Sequence, residues 1–147
     1  MKKFVFRLET LLQHRRNVEE QERTKFTLIR NELHAECGRR QSFMASQDRT
    51  RAELAGILST DCNAQECQWC SRFLEYLALE IKRSDERIAG LEKKLEAQKQ
   101  TMIAATRDKK IIEKLKARKQ KEFQISLERM EQKAIDEIVI TRYAARD

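Results

Sequence analysis

Apolar residues recur at alternating spacings of three and four along the second half of the chain, which is the heptad pattern of a coiled coil. With Leu74 taken as position a, the a and d positions are Cys67, Cys70, Leu74, Leu77, Ile81, Ser84, Ile88, Leu91, Leu95, Gln98, Met102 and Ala105. Only Ser84 and Gln98 among them are polar. Beyond Ala105 we expect the stripe to shift, as a stutter would produce, and to continue less cleanly through Ile112, Leu115, Leu127, Met130, Ala134 and Ile138.

The first half of the chain has a weaker stripe, which polar residues such as Arg15, Glu22 and Arg51 interrupt. Its apolar members are Phe4, Leu8, Leu11, Val18, Phe26, Ile29, Leu33, Cys37, Met44, Leu54, Ile57 and Leu58. Between the halves, residues 59–63 are the only run of cap and turn formers, and Asn63 followed by Glu66 is typical of a helix N-cap. The pattern predicts helix one at about residues 3–58, a turn at 59–63 and helix two at about 64–143.

The composition favours long unbroken helices, because the chain of 147 residues has no proline and only three glycines. Charged residues make up 37% of it and aromatic residues 6%, which suits one narrow seam better than a globular core. We therefore predict an all-α fold: a long antiparallel two-helix coiled-coil hairpin, forming a single domain over residues 1–147. With the turn centred on residue 61, residue i of helix one faces about residue 122 − i, and helix two extends past the N-terminus by roughly 25 residues.

The net charge is +7. Basic residues are interspersed with acidic ones along the chain, except in one stretch near the end of the predicted helix pair. Eight basic residues there form what we call the basic collar: Arg107, Lys109, Lys110, Lys114, Lys116, Arg118, Lys119 and Lys121. Such a stretch suits an acidic partner, a membrane surface or nucleic acid. Neither a signal-peptide pattern nor a membrane-spanning run is visible, so we expect a cytoplasmic protein with reduced cysteines.

Three cysteines near the turn, Cys62, Cys67 and Cys70, have a spacing that overlaps an iron–sulfur pattern. That site needs a fourth thiolate, and Cys37 is predicted to lie far along helix one. We interpret Cys67 and Cys70 as small seam residues, and leave open a three-thiolate zinc or redox site shared between chains. Because no phosphate loop, Ser/His/Asp arrangement or zinc-type histidine pair is present, we predict no catalysis, no cofactor and no metal.

An aromatic group, Trp69, Phe73 and Tyr76, falls on one flank of helix two beside the seam. In a plain two-helix coiled coil this flank is exposed, and exposed aromatic patches often mark partner sites. The alternative is a seam that widens locally, so that helix one or a second chain covers the rings.

Both ends of the chain carry recognisable motifs. The first is Phe4-Val5-Phe6-Arg7-Leu8-Glu9-Thr10-Leu11-Leu12, followed by Arg15. The second is Lys114-Leu115 and then Glu131, Lys133-Ala134-Ile135-Asp136-Glu137-Ile138 and Arg142. In these positions, and over nearly the whole length, the chain resembles the flagellar export protein FliJ family.

This resemblance implies an antiparallel coiled coil similar to the central stalk of rotary ATPases, without catalysis of its own. Its paired termini would enter the hexameric ring of the flagellar type III export ATPase and promote ring assembly or activity. The chain would also reach the cytoplasmic domain of the export gate and export chaperones. Carried over by motif, the ring-facing residues are Phe4, Phe6, Arg7, Leu8, Leu11, Leu12, Arg15, Glu131, Lys133, Asp136, Glu137 and Arg142.

The remaining expectations join the resemblance to the residue pattern. The basic collar would face acidic residues of the ring, and Trp69, Phe73 and Tyr76 would contact the export gate. We expect a monomer, held at the cytoplasmic face of the inner membrane through the export apparatus. The alternatives are the stalk of a virulence type III secretion system, a homodimeric scaffold and a basic nucleic-acid binder. The last is disfavoured because no stacking aromatics accompany the basic residues.

Overall fold

The chain folds into two helices that pack against each other as an antiparallel hairpin, as the computed structural model describes it for residues 3–60 and 63–144. Helix α1 is Glu9–Ser59 and helix α2 is Ala64–Ala144. The all-α hairpin is thereby confirmed, with both helices within a residue of their predicted ends at the turn. Cys62, in the predicted turn, lies outside the described residues.

Asn63 caps the N-terminus of α2, as the sequence predicts. Its side-chain oxygen accepts a hydrogen bond of 3.1 Å from the backbone N–H of Gln65, and its carbonyl accepts one from the N–H of Cys67. The bond from Gln65 satisfies one of the first N–H groups that have no partner within the helix, and the bond from Cys67 is the first backbone bond of the helix itself.

The N-terminal boundary of α1 was predicted wrongly, because residues 3–6 are not helical and α1 begins at Glu9. Phe4 and Phe6 are half-buried, whereas Lys3, Val5 and Arg7 are exposed. This alternation has the period of two of an extended segment, so the two phenylalanines point to one side without a helix.

The predicted seam of α2 is confirmed, since every a and d position from Cys67 to Ala105 is buried or half-buried. Beyond Ala105 the unshifted spacing and the expected stripe overlap, because Ile112 belongs to both, Leu115 is half-buried, and Lys119 at an unshifted position is exposed. Lys109, Ile112, Lys116 and Phe123 keep the unshifted spacing and are all half-buried. Lysines at two of these positions make the apolar pattern look interrupted in the sequence.

The seam of α1 is more polar than the sequence suggested. Spacings of three and four run without a break from Leu12 to Ile57, and the expected members Cys37, Met44 and Leu58 are exposed. The polar residues at buried or half-buried seam positions are Arg15, Glu19, Glu22, Glu36, Arg40, Gln47 and Thr50. Helix α1 therefore faces α2 with alternating apolar and charged groups.

The residue numbers of most side-chain pairs across the two helices add up to slightly more than the predicted 122, although Glu22 with Gln98 gives 120. Arg40 with Asp85 and Glu9 with Lys116 each give 125. Helical side chains lean toward the N-terminus of their own helix by about one position, which raises such sums in an antiparallel pair. The backbone register is thus close to the predicted one.

Contacts between residues group the chain into two compact units. The terminal unit contains residues 3–20 and 103–144 as described, and the middle unit contains residues 21–102. Within residues 3–60 and 63–144, neither helix carries an apolar stretch of the length that crossing a bilayer requires.

Removing a seam leucine should destabilise the hairpin far more than removing an exposed one two residues away. Leu77 is 2% exposed and Leu79 is 47% exposed. We expect Leu77→Ala to lower the free energy of unfolding by about 2–4 kcal/mol, because it leaves a cavity in the seam. Leu79→Ala should change it by less than about 1 kcal/mol. Urea titrations followed by circular dichroism measure both, and equal losses would contradict the seam.

Candidate functional site

The terminal unit brings the N-terminal motif against the first part of the C-terminal motif, near Leu115, and leaves residues 131–142 uncovered by any described residue. The rings of Phe4 and Phe123 contact each other with centroids 5.7 Å apart and planes tilted by 50°. The extended segment before α1 lies against Leu115, Lys119 and Ser126 of α2 and forms one side of an apolar groove. The N-terminal phenylalanines thereby cover the last part of α2 that has a partner within the chain.

The N-terminal residues predicted to face a ring divide into two groups. Leu12 is completely buried, and the Arg15 guanidinium donates to the Asp108 carboxylate at 3.1 Å, so both hold the hairpin together. Arg7 is exposed, and Leu8 and Leu11 are a little over one-third exposed. These last three are the members that a partner can reach.

Beyond Phe123, α2 has no covering element among the described residues, and every residue from 124 to 144 is exposed. Four apolar residues follow Phe123 on the same helix face at spacings of four, three, four and four: Leu127, Met130, Ala134 and Ile138. We call them the open stripe. Met130 and Ile138 are 56% and 55% exposed. A contiguous apolar stripe left in water marks a binding surface.

The C-terminal residues predicted to face a ring flank this open stripe. They are Glu131, Lys133, Asp136, Glu137 and Arg142, and all are exposed. Their described contacts stay within α2: the Gln132 amide donates to Asp136 at 3.0 Å, and the Thr141 hydroxyl donates to the Glu137 carbonyl. An apolar line with mixed charges beside it suits a groove on another protein.

The basic collar is divided between the inside and the outside of the terminal unit. Lys109 donates to the buried Glu19 carboxylate at 2.8 Å, and Lys116 contacts Glu9 at 2.7 Å. Arg118 and Lys119 both bind Glu122 of their own helix. The remaining four, Arg107, Lys110, Lys114 and Lys121, make no ion pair with any described residue.

The cations beside Glu122 also favour its charged form. The hydrogen bond from Lys119 lowers the pKa of the Glu122 carboxyl from 4.5, and the Arg118 bond acts in the same direction. Glu122 therefore stays ionised at neutral pH and neutralises part of the collar where the paired helices end.

Sequence reasoning missed the charged residues of α1 that pair with α2 across the seam. The Thr106 hydroxyl donates to Glu19 at 3.2 Å beside the Lys109 bond. In the middle unit, Glu36 contacts Arg87 at 3.4 Å, and the Arg40 and Asp85 side chains lie in ion-pair contact. The unbroken spacing of three and four in α1 was the available signal, because it places Glu19, Glu36 and Arg40 in the seam despite their charge.

A hydrogen-bonded pair in the same seam joins Gln98 to Glu22. The Gln98 amide donates both to the Glu22 carbonyl, at 3.1 Å, and to its carboxylate. The hydrogen bond from Lys25, followed by that from Gln98, lowers the pKa of the Glu22 carboxyl from 4.5. The polar position that seemed to interrupt α1 thus meets one of the two polar positions of the α2 seam.

The aromatic patch of Trp69, Phe73 and Tyr76 is a stacked ladder on α2. Ring centroids are 5.3 Å apart between Trp69 and Phe73 and 6.1 Å apart between Phe73 and Tyr76, with nearly parallel planes in both contacts. Phe73 is half-buried, whereas Trp69 is 61% and Tyr76 is 52% exposed. Helix α1 therefore does not cover the outer two rings.

Cys67 and Cys70 are seam residues, as the sequence interpretation has it, whereas the expected seam residue Cys37 is not. Cys70 is buried and Cys67 half-buried at seam positions, and Cys37 is exposed. Among residues 3–60 and 63–144 no cluster of cysteine, histidine, aspartate or glutamate side chains is arranged to hold a metal ion.

The fold places the chain among the all-α proteins that consist of two long helices packed as a hairpin. A family model supplies the particular family: the one described as "Flagellar FliJ protein" matches residues 3–147. The chain therefore belongs to the flagellar FliJ family, which is a structural component of flagellar protein export. Comparison with curated proteins and with solved structures gives no match.

Neutralising Lys109, which lies in the seam, should destabilise the protein more than neutralising the neighbouring Lys110. Lys109→Met removes a charge partner from the buried Glu19 carboxylate, so we expect the free energy of unfolding to fall by about 1–3 kcal/mol. Lys110→Met is the matched control, because Lys110 is exposed, and its change should stay within about 0.5 kcal/mol. Thermal and urea unfolding provide the comparison, and an equal effect of both variants would contradict the inward role of Lys109.

Proposed function

We propose that this protein is the stalk-like coiled coil of a flagellar type III export apparatus, which binds the hexameric export ATPase and promotes its assembly and activity. The observation that carries the proposal is the family match over residues 3–147, together with an open stripe that no described residue covers. In this proposal the protein has no catalytic activity and acts through its surfaces.

The open stripe suits a binding site formed by several subunits of a ring. A single helix with one apolar line can place Met130 and Ile138 in a hydrophobic groove while flanking charges such as Glu131 and Arg142 stay at its rim. A single helix contacts each subunit of a symmetric ring differently. It therefore changes the relative stabilities of the subunit conformations, and in this way ATPase activity can respond to binding.

The ring-facing surface in this proposal is narrower than the set of residues that the motifs name. Leu12 and Arg15 hold the hairpin from inside, so their role is to support the surface. Arg7, Leu8 and Leu11 join the open stripe as exposed contacts. The basic collar is not part of this surface, because Lys109 and Lys116 bind α1 and the other collar cations lie beside no exposed aromatic anchor.

The stacked aromatic patch is the proposed contact with the export gate. Trp69 and Tyr76 expose more than half of their surfaces while stacking on Phe73 holds them in place. Rigid, exposed aromatic groups are typical of the centre of protein interfaces.

The remaining parts of the proposal follow from the family. We place the protein in the cytoplasm as a monomer, associated peripherally with the inner membrane through the export apparatus, and able to bind export chaperones. The family that matches is the flagellar one, so the proposal favours flagellar assembly and motility over a virulence secretion system.

Binding of the ATPase should depend on the open stripe and not on apolar residues elsewhere on the same helix. Ile138 lies on the stripe and Ile140 on another face, and they are 55% and 67% exposed. We expect Ile138→Ser to weaken binding to the export ATPase by about tenfold and to reduce ATPase stimulation, because it places a hydroxyl in an apolar groove. Ile140→Ser should leave both unchanged. Titration calorimetry and ATPase assays measure the effects; a wild type without binding, or equal effects of both variants, would contradict the proposal.

Binding of the export gate should depend on the aromatic patch. Replacing Trp69 and Tyr76 together by serine should weaken binding to the cytoplasmic domain of the gate at least about tenfold, because it removes two exposed rings. Leu28→Ser is the control, since Leu28 is 63% exposed in the same unit. Pull-down and calorimetry with the purified gate domain decide the matter, and an unaffected affinity of the double variant would rule out this contact.

A further inference from the structure

Within residues 103–121 of the terminal unit the acidic side chains of α2 face α1, so the opposite face of α2 is almost purely basic. The acidic residues Asp108 and Glu113 bind Arg15 and Arg16 of α1 at 3.1 and 3.4 Å. Lys109, as shown above, turns toward the acidic Glu19. Between residues 103 and 121 these contacts direct every acidic side chain of α2 toward α1.

The outward face that remains carries four cations, Arg107, Lys110, Lys114 and Lys121, which we call the basic stripe. Their spacings of three, four and seven keep them in one line along the helix for about 21 Å. Arg118 lies on the same line and is turned in part to Glu122 by a bond of 3.2 Å. Four positive charges that pair with no described residue therefore point the same way.

Isoleucines accompany this basic stripe at both ends and in its middle. Ile103, Ile111 and Ile125 are 39%, 58% and 40% exposed on or beside the same line. Ile103 and Ile111 form an open groove with the stems of Arg107, Lys110 and Lys114. Long basic side chains can lie along apolar surface and extend their charges outward, so the face combines an apolar floor with a charged rim.

We propose that the basic stripe and its isoleucines bind directly to the surface of a bilayer that contains anionic phospholipids. A straight helix face can touch a plane along its full length, and cations in one line then lie at the same depth. Lysine and arginine attract the anionic headgroups, while the isoleucines enter the boundary between headgroups and acyl chains.

This partner fits the face better than nucleic acid or an acidic protein does. No aromatic residue occurs between positions 103 and 121, so the face offers no platform on which bases could stack. It also lacks the aromatic anchors that are typical of protein interfaces. The proposal does not depend on ATPase binding, because it concerns the chain alone and a lipid surface.

Vesicle flotation tests the proposal with the full chain and no other protein. The vesicles contain phosphatidylcholine alone or with about one-third phosphatidylglycerol, at low and at high salt. We expect flotation only with phosphatidylglycerol, and less of it at high salt because salt screens the charges. Replacing all four residues of the basic stripe by glutamine should reduce the bound fraction at least about tenfold.

The control variant removes the same charge from other exposed positions. Arg72, Lys82, Lys93 and Lys94 are exposed and make no ion pair with a described residue, so their replacement by glutamine gives an equal net charge. It should float nearly as well as the wild type. Ile111→Ser should weaken flotation while all charges remain, and circular dichroism verifies that each variant stays helical.

Three results would overturn the proposal. The first is that the wild type does not float with anionic vesicles. The second is that the basic-stripe variant and its control lose flotation equally, which would indicate a response to net charge alone. The third is that the wild type binds the soluble polyanion heparin but no vesicles, which would assign the face to a polyanion in solution.

Discussion

A pair of helices can bury only one line of side chains from each helix, and the rest of this protein follows from that limit. Helix α2 has 81 residues and helix α1 has 51, so the seam ends long before α2 does. The extended segment with Phe4 covers α2 as far as Phe123. Beyond that point no described residue covers the same helix face, and the apolar residues that would extend the seam form the open stripe.

The seam sets its register largely through charge. Apolar residues alone would tolerate a slip of one heptad, since Leu, Ile and Phe recur at equivalent positions. Glu22 with Gln98 and Arg15 with Asp108 are lost at a slip of one heptad in either direction. Such a slip would place Ala105 or Leu91 opposite Glu22, and Leu115 or Thr101 opposite Arg15. Polar groups in a coiled-coil seam lower stability and specify register in this way. A defined register matters here because it fixes where the paired part ends and the open stripe begins.

The sequence predicted most of α2 and much less of α1. An apolar heptad pattern is unambiguous in α2, and Asn63 is a typical cap, so the seam and the turn could be located. In α1 the charged residues Glu36 and Arg40 occupy seam positions, and a pattern of apolar residues alone assigned Cys37 and Met44 to the seam instead. Only the partner charges on α2 reveal why those polar positions are inside. The outward-facing basic stripe was equally hidden, because it depends on which acids bind α1.

In the function proposed above, a ring-shaped ATPase covers the open stripe of α2. Hydrogen–deuterium exchange of the full chain, alone and mixed with the purified export ATPase, tests it most directly. We expect rapid amide exchange in residues 124–144 of the free protein, since they are exposed and at the end of a helix, and marked protection once the ATPase is added. Binding without any change of exchange in residues 124–144 would contradict the account.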